Sequence, residues 1–136
     1  MEIASFSLVN YKFDKVELNL EDLKPNTTFA IDFNPSGVFL KDKRIYALTF
    51  LFKAVDSASN NETILIRCRA LYSFKDATSI EDIPPFFYNN AIAILFPYVR
   101  AFVSTVTLQA NIQPLVLPTL NLSDLQEVLK KNSTTE

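Results

Sequence analysis

Ala93-Ile94-Leu95-Phe96-Pro97-Tyr98-Val99-Arg100-Ala101-Phe102, AILFPYVRAF, is the stretch on which the fold turns. From Ile83 to Ser123, Arg100 is the only charged residue. A block this poor in charge must bury much of its surface or present it to a partner. Ala91 to about Gln109 fits a helix. Pro97 must kink that helix or stand in its first turn, because proline lacks the N–H and its ring clashes with the preceding turn. Phe96, Val99, Phe102, Val103 and Val106 do not fit one helix stripe, so a single packed face does not account for them. A membrane span is the competing explanation. Ala91 to Val99 gives nine apolar residues before Arg100, short of the ~18–20 a span requires. Association between copies of the chain is the economical alternative.

Upstream of this block the chain reads as strands. The first, about residues 3 to 20, has Phe6, Leu8, Val16, Leu18 and Leu20 in one phase, interrupted by Asn10, Lys12 and Asp14. That interruption predicts a bend or bulge near Asp14. Thr28 to Asn34 alternates, with Phe29, Ile31 and Phe33 on one face, and Asn34-Pro35-Ser36-Gly37 has the composition of a turn. Arg44 to Val55 is apolar on both faces, with Tyr46, Leu48, Phe50 and Phe52 on one and Ile45, Ala47 and Leu51 on the other. Leaving such side chains in water forgoes about 1.5–3 kcal/mol each, so both faces call for cover. Ile64, Ile66, Cys68, Ala70, Tyr72 and Phe74 alternate in a fourth strand after the loop Asp56 to Asn61. Cys68 in that series reads as a small buried hydrophobe.

Downstream, Ile83-Pro84-Pro85 can open a helical turn, and Asn111 to Asn121 is extended, with Pro114 and Pro118 resisting helix. Ser123-Asp124-Leu125-Gln126 has a capping-box pattern, and Leu122, Leu125, Val128 and Leu129 form the stripe of a short last helix ending at Lys130 and Lys131. Asn132 to Glu136 reads as a frayed tail. Strands first and helices last predict an α+β fold in one domain, residues 1–136: a four-stranded antiparallel sheet with a long helix and a shorter C-terminal helix on one face.

Composition removes most catalytic chemistries. The chain has no histidine, one cysteine and one glycine, Gly37. That leaves no His-based triad, no His-ligated metal, no CxxC zinc spacing and no glycine-rich phosphate loop. The pairs Glu21/Asp22 and Glu81/Asp82 read as solvated surface. We therefore expect no enzyme activity, no cofactor and no metal. A net charge of −2 gives no nucleic-acid footprint. The single cysteine suits a reducing, cytoplasmic setting, and Met1-Glu2-Ile3-Ala4 lacks a basic n-region and apolar h-region.

Leu95-Phe96-Pro97-Tyr98-Val99-Arg100 closely resembles the L-F-P-Y-x-R segment of the SecB protein-export chaperones. Leu115-Val116-Leu117-Pro118-Thr119-Leu120-Asn121-Leu122 resembles their proline-containing leucine loop, and Ile45 to Val55 with Ile64 to Phe74 resembles their long hairpin. The resemblance runs from about Phe6 to Leu129. It implies an ATP-independent holdase for unfolded, including secretory, polypeptides, assembled as a dimer of dimers, with SecA a partner of many members. It also implies an alternative, a SecB-like subunit dedicated to one partner, such as a chaperone that guards an antitoxin. Three sequence features depart from the pattern. Ala101 stands where Glu is common, and Gln109-Ala110-Asn111-Ile112 where Gly is common. Thr63, Leu65, Arg67 and Arg69 stand on the outward strand face where export members offer SecA carboxylates.

Two residue sets follow. Phe33, Val38, Phe39, Phe86, Phe87, Tyr88, Leu115, Val116, Leu117 and Leu120 are candidates for a client groove, with core packing the alternative for each. Aromatic walls suit varied clients because they offer area without demanding hydrogen-bond geometry. Phe96, Val99, Arg100, Phe102, Val103 and Val106 are candidates for the interface between copies, with Arg100 a partly buried charge in need of a partner.

Overall fold

The computed structural model describes residues 5–136. The expected strand start at residue 3 and the leader reading of Met1 to Ala4 lie outside the described residues. Four long strands, β1 (Phe6–Leu18), β2 (Phe29–Leu40), β3 (Ile45–Asp56) and β4 (Glu62–Phe74), are followed by α1 (Phe86–Gln109), α2 (Ser123–Lys131) and a short β5 (Ser133–Thr135). The sheet order is β1-β4-β3-β2-β5. The four long strands pair antiparallel, as expected from the sequence. The sheet is nevertheless five-stranded and mixed, because β5 adds to β2 in parallel. The segment read as a frayed tail is therefore a strand. Its residues carry no apolar pattern, and backbone hydrogen bonds place it, among them Gly37 N–H to Asn132 O and Glu136 N–H to Phe39 O.

β1 explains its own irregular phase. Its register with β4 slips between Leu8 and Asn10 and again between Phe13 and Lys15. Each extra residue reverses the alternation, so two bulges restore it. Phe6 and Leu8, then Tyr11 and Phe13, then Val16 and Leu18 consequently share the helix side. Tyr11 stacks on Tyr98 and Phe13 on Phe102 there. Asp14, the extra residue of the second bulge, lies on the opposite face, where its carboxylate accepts from Arg67 Nε at 2.8 Å and Nη2 at 3.1 Å. Arg67 is the first cause that holds the Asp14 carboxyl below the usual range.

No turn forms at Asn34 to Gly37; β2 runs through it, and the chain reverses at residues 41–44. Pro35 and Gly37 have other reasons to be there. Gly37 N–H points to the outer edge of β2, so Pro35, two residues earlier, has its missing N–H on that same edge. An edge is where a sheet tolerates proline. A Cβ on Gly37 would fall within the tip of the Tyr46 ring, so only glycine permits this approach.

β3 supplies the centre of the core. Tyr46, Leu48, Phe50 and Phe52 are fully buried under the helices, while Ile45, Ala47 and Leu51 are half-buried on the bare outer face. Phe87 on α1 fits among Phe6, Tyr46, Tyr72, Phe74 and Tyr88, with ring centroids 4.8–5.5 Å apart. Tyr72 donates its hydroxyl to Ala91 O at 2.7 Å, tying β4 to α1. Cys68 is buried, as its alternation predicts, and burial pushes its thiol up to about 11.

α1 begins at Phe86, five residues before the expected Ala91, so Pro97 lies deep inside it. Pro97 and Ala93 are both exposed. The Ala93 carbonyl, which proline at position 97 cannot satisfy, thus faces solvent. α1 is long and apolar enough to span a membrane by length and composition. The expectation that it would be too short does not hold. Its packing separates it from a span, since Phe87, Ile92, Leu95, Val99 and Val103 are buried on the sheet. α2 starts without the expected capping box. Asn121 Oδ1 instead accepts from Ser123 N at 3.1 Å and from Ser123 Oγ at 2.7 Å, because Ser123 already lies inside the first turn.

Candidate functional site

The ten groove candidates separate by burial. Phe39, Phe87 and Leu117 are fully buried and Tyr88 is 5% exposed, so these four are core of the single chain. Phe33 is half-buried and packs its ring against Phe50, Phe52 and Phe96. Val38 lies half-buried on the outer sheet face, away from the loop. Phe86 and Val116 are exposed, and Leu115 and Leu120 are half-buried. No single groove gathers all ten.

An apolar cleft of about 440 Å³ does form around one of them. Leu115, Ile112 and Pro114 wall one side, and Leu23, Pro25 and Phe29 the other. Lys24 is the one charged residue on its lining. A larger cleft, about 830 Å³, lies between residues 18–24 and 56–63, but Asn19, Glu21, Asp22, Asp56, Asn61 and Glu62 line it. Such a wall suits water better than an apolar ligand.

The position of Leu115 in the apolar cleft is held by α1. Ser104 Oγ donates to Leu115 O at 3.1 Å, and Leu115 N–H donates to Thr107 Oγ1 at 2.9 Å. Thr107 is fully buried and passes its own proton to Val103 O at 2.8 Å. Two hydroxyls on successive turns thereby hold one loop residue by both its backbone groups. Leu117 then anchors the loop in the core, and Val116, between them, is 63% exposed.

Phe29 joins this cleft to the edge of β2. Residues of the same parity as Gly37 aim N–H and C=O outward, which makes them Phe29, Ile31 and Phe33. β5 covers only Gly37 to Phe39, and Asn132 Nδ2 donates to Pro35 O at 3.2 Å. Among the described residues, no hydrogen bond reaches the outward groups of Phe29, Ile31 or Phe33. The open edge therefore runs into the apolar cleft. Sequence reading missed Leu23, Pro25, Ile112 and Pro114 as cleft residues. The uncharged run Ile112 to Leu122 contained half of that signal, but residues 23–29 carry no mark of facing it.

The interface candidates also redistribute. Val99 and Val103 are buried on the sheet and Phe96 is 8% exposed, so these three belong to the intrachain core. Phe102 stacks on Phe13 at 4.0 Å and Val106 packs against the same core, so the five apolar candidates form one packed stripe, contrary to the expectation that they exceed one. Arg100 is half-buried and has no ion-pair or hydrogen-bond partner among the described residues. The outward face of α1 is instead Ala93, Ile94, Pro97, Ala101, Thr105 and Leu108, with Tyr98 at its rim against Tyr11. It is uncharged throughout. Of the two carboxylate pairs, Asp82 accepts from Thr78 N, Thr78 Oγ1 and Ser79 N, each at 3.1 Å, which lowers its pKa and caps the turn Ile80–Asp82.

No family model matches the chain. Residues of this chain are 42% identical over 59 positions to an uncharacterized protein of Methanocaldococcus jannaschii. That match takes in 40% of the chain and 38% of the relative, well under half the length of either. Among solved structures, the Mycobacterium tuberculosis Rv1957 SecB-like chaperone, in complex with a ChAD peptide from the Rv1956 HigA1 antitoxin, superposes with a TM-score of 0.71. The alignment covers 86% of this chain and 88% of that one at 15% identity. The fold is SecB-like. A protein of unknown function from Streptococcus agalactiae aligns over 84% of this chain and 97% of its own at 15% identity, with a TM-score of 0.41. On the SecB-like fold seen here, the apolar cleft, the loop clamped by Ser104 and Thr107, and the open β2 edge lie together.

Proposed function

We propose that this chain is a chaperone that holds unfolded polypeptide in an extended form without nucleotide hydrolysis. The observation that carries the reading is the meeting of the apolar cleft with the free edge at Phe29. An extended segment can hydrogen-bond along such an edge while an apolar side chain enters the cleft, which gives affinity with weak sequence preference. The SecB-like chaperone whose fold this chain shares binds an antitoxin peptide. That supports polypeptide as the ligand and lends no support to general export. Arg67 and Arg69 on the outward face of β4 point the same way, since they offer SecA no acidic surface. The reading places the protein in the cytoplasm, as a homo-oligomer, with no catalytic step.

The test is aggregation of a chemically unfolded model protein, followed by light scattering without ATP. Stoichiometric suppression is expected. Unhindered aggregation at excess protein overturns the reading. Ile112→Ser with Leu115→Ser should weaken suppression. Leu117 is left intact because it is core. Raising salt should leave binding unchanged or slightly stronger, since apolar burial is not screened.

A further inference from the structure

β5 occupies the same edge that the proposed client would use. It pairs Ser133, Thr134 and Thr135 with Gly37, Val38 and Phe39. Three features hold it there. Gly37 N–H donates to Asn132 O at 3.2 Å, and Lys41 N–H donates to Glu136 O at 3.2 Å. Asn132 Nδ2 reaches Pro35 O. Finally, Tyr46 crosses under Gly37 to Ser133 Oγ. The Ser133 hydroxyl spends its proton on Leu129 O at 2.7 Å, so Tyr46 is the donor of that pair. The one glycine of the sequence thus makes room for a contact between the core and this segment.

These contacts are all polar. Ser133 is half-buried and Thr134, Thr135 and Glu136 are exposed, so the strand contributes almost no apolar burial. Segments held by a few polar contacts with little apolar burial open more readily than those with a packed side-chain face. An extended client brings the same backbone groups and apolar side chains besides. Starting at Phe29 to Phe33, where the edge is free and the cleft receives a side chain, it would meet β5 at Gly37.

We propose that β5 is a built-in occupant of the client edge, which a long extended client displaces as it pairs along β2 from Phe29 toward Phe39. The inference rests on the chaperone reading and adds to it a self-occupied section of the site. Short segments use the open part alone. Longer ones compete with Ser133–Thr135.

Two fluorescent peptides of alternating valine and threonine test it, one long enough to span Phe29 to Phe33 and one to span Phe29 to Phe39. Binding is measured to the full chain and to Tyr46→Phe and Thr134→Pro. The first variant removes the hydroxyl that holds Ser133, and the second a central donor of β5. If β5 is closed most of the time, releasing it should tighten the long peptide by about three- to tenfold, in proportion to the competent fraction. The short peptide should bind all three proteins alike. The Gly37 amide should exchange faster in both variants and be protected again by the long peptide. Unchanged or weaker binding of the long peptide, or equal tightening of both peptides, overturns the inference while the chaperone reading stands. Failure of either peptide to bind even the parent protein, with no suppression of aggregation, overturns both. Tyr46→Phe keeps the ring in the core, so the test survives if Thr134→Pro does not fold.

Discussion

Phe87 is the residue on which the core and groove readings differ most. Its ring is fully buried among five aromatic neighbours. Phe87→Ala should cost about 3–5 kcal/mol of stability, measured by urea unfolding, with client affinity of the folded fraction unchanged. A drop in affinity at unchanged stability would return Phe87 to the binding surface. Cys68 carries a second expectation at this scale. Burial raises its thiol from 9.0 to about 11, and burial likewise raises Tyr46, Tyr72 and Tyr88. These groups ionise sooner in the unfolded chain than in the folded one. Their neutral forms therefore favour the fold fully below the unfolded values, and that contribution is lost as pH climbs above them. Unfolding midpoints should hold near pH 8 and fall between about pH 9 and 11. Cys68→Ala should flatten the first part of that fall. A midpoint that is level to pH 11 would contradict the burial of these groups.

Among the elements, β1 and β2 show what sequence pattern conveys and what it hides. The interrupted phase of β1 marked the bulge at Asp14 because a slip of one residue reverses every side chain and the pattern records it. A single bulge would have put Phe6 and Leu8 on the face opposite Val16 and Leu18, so their shared phase carried the sign of the other bulge, between Leu8 and Asn10. Asn34 to Gly37 read as a turn because Pro and Gly mark turns most often. Here Pro35 reports an edge and Gly37 a crossing tyrosine. Both depend on neighbours distant in sequence. The same limit governs the loop after α1. Its lack of charge was visible, but its attachment through Ser104 and Thr107 to Leu115 was not. That attachment predicts a coupling. Thr107→Val leaves the Leu115 N–H without its acceptor and should cost about 1–3 kcal/mol. Client affinity should fall with it, because the cleft wall loses its fixed position. Thr107→Ser should restore both. Unchanged affinity in a destabilised Thr107→Val protein would show that the clamp serves the fold alone.

At the scale of the whole molecule, the described residues leave two surfaces uncovered, the outer face of the sheet and the outer face of α1. The α+β layout was legible because strands and helices separate along the chain, and the need for cover was legible in β3, apolar on both faces. Which helix residues provide that cover was not, because the near absence of charge from Ile83 to Ser123 blurs the stripe that normally tells the buried side from the exposed one. Packing decides it. Val99 and Val103 serve the sheet, while Ile94, Tyr98 and Leu108 are 39%, 42% and 60% exposed. Small residues, Ala93, Ala101 and Thr105, lie along the same face at four- or eight-residue spacing, with Pro97 between them. Such a ridge lets a second helix approach closely, and the flanking Ile94 and Leu108 supply the apolar area that an interface core requires. A second copy of the chain is the expected partner, with α1 packed on α1. Ile94→Lys with Leu108→Lys should lower the assembly state without lowering the unfolding midpoint of the dissociated chain, since both are exposed within it. Arg100, half-buried and without a partner among the described residues, should respond less than either. Sedimentation of the parent protein at micromolar concentration should give a mass above the 15.4 kDa of one chain. A monomer there, or an oligomer that tolerates both lysines, would remove α1 from the interface and leave the outer sheet face as the surface to test.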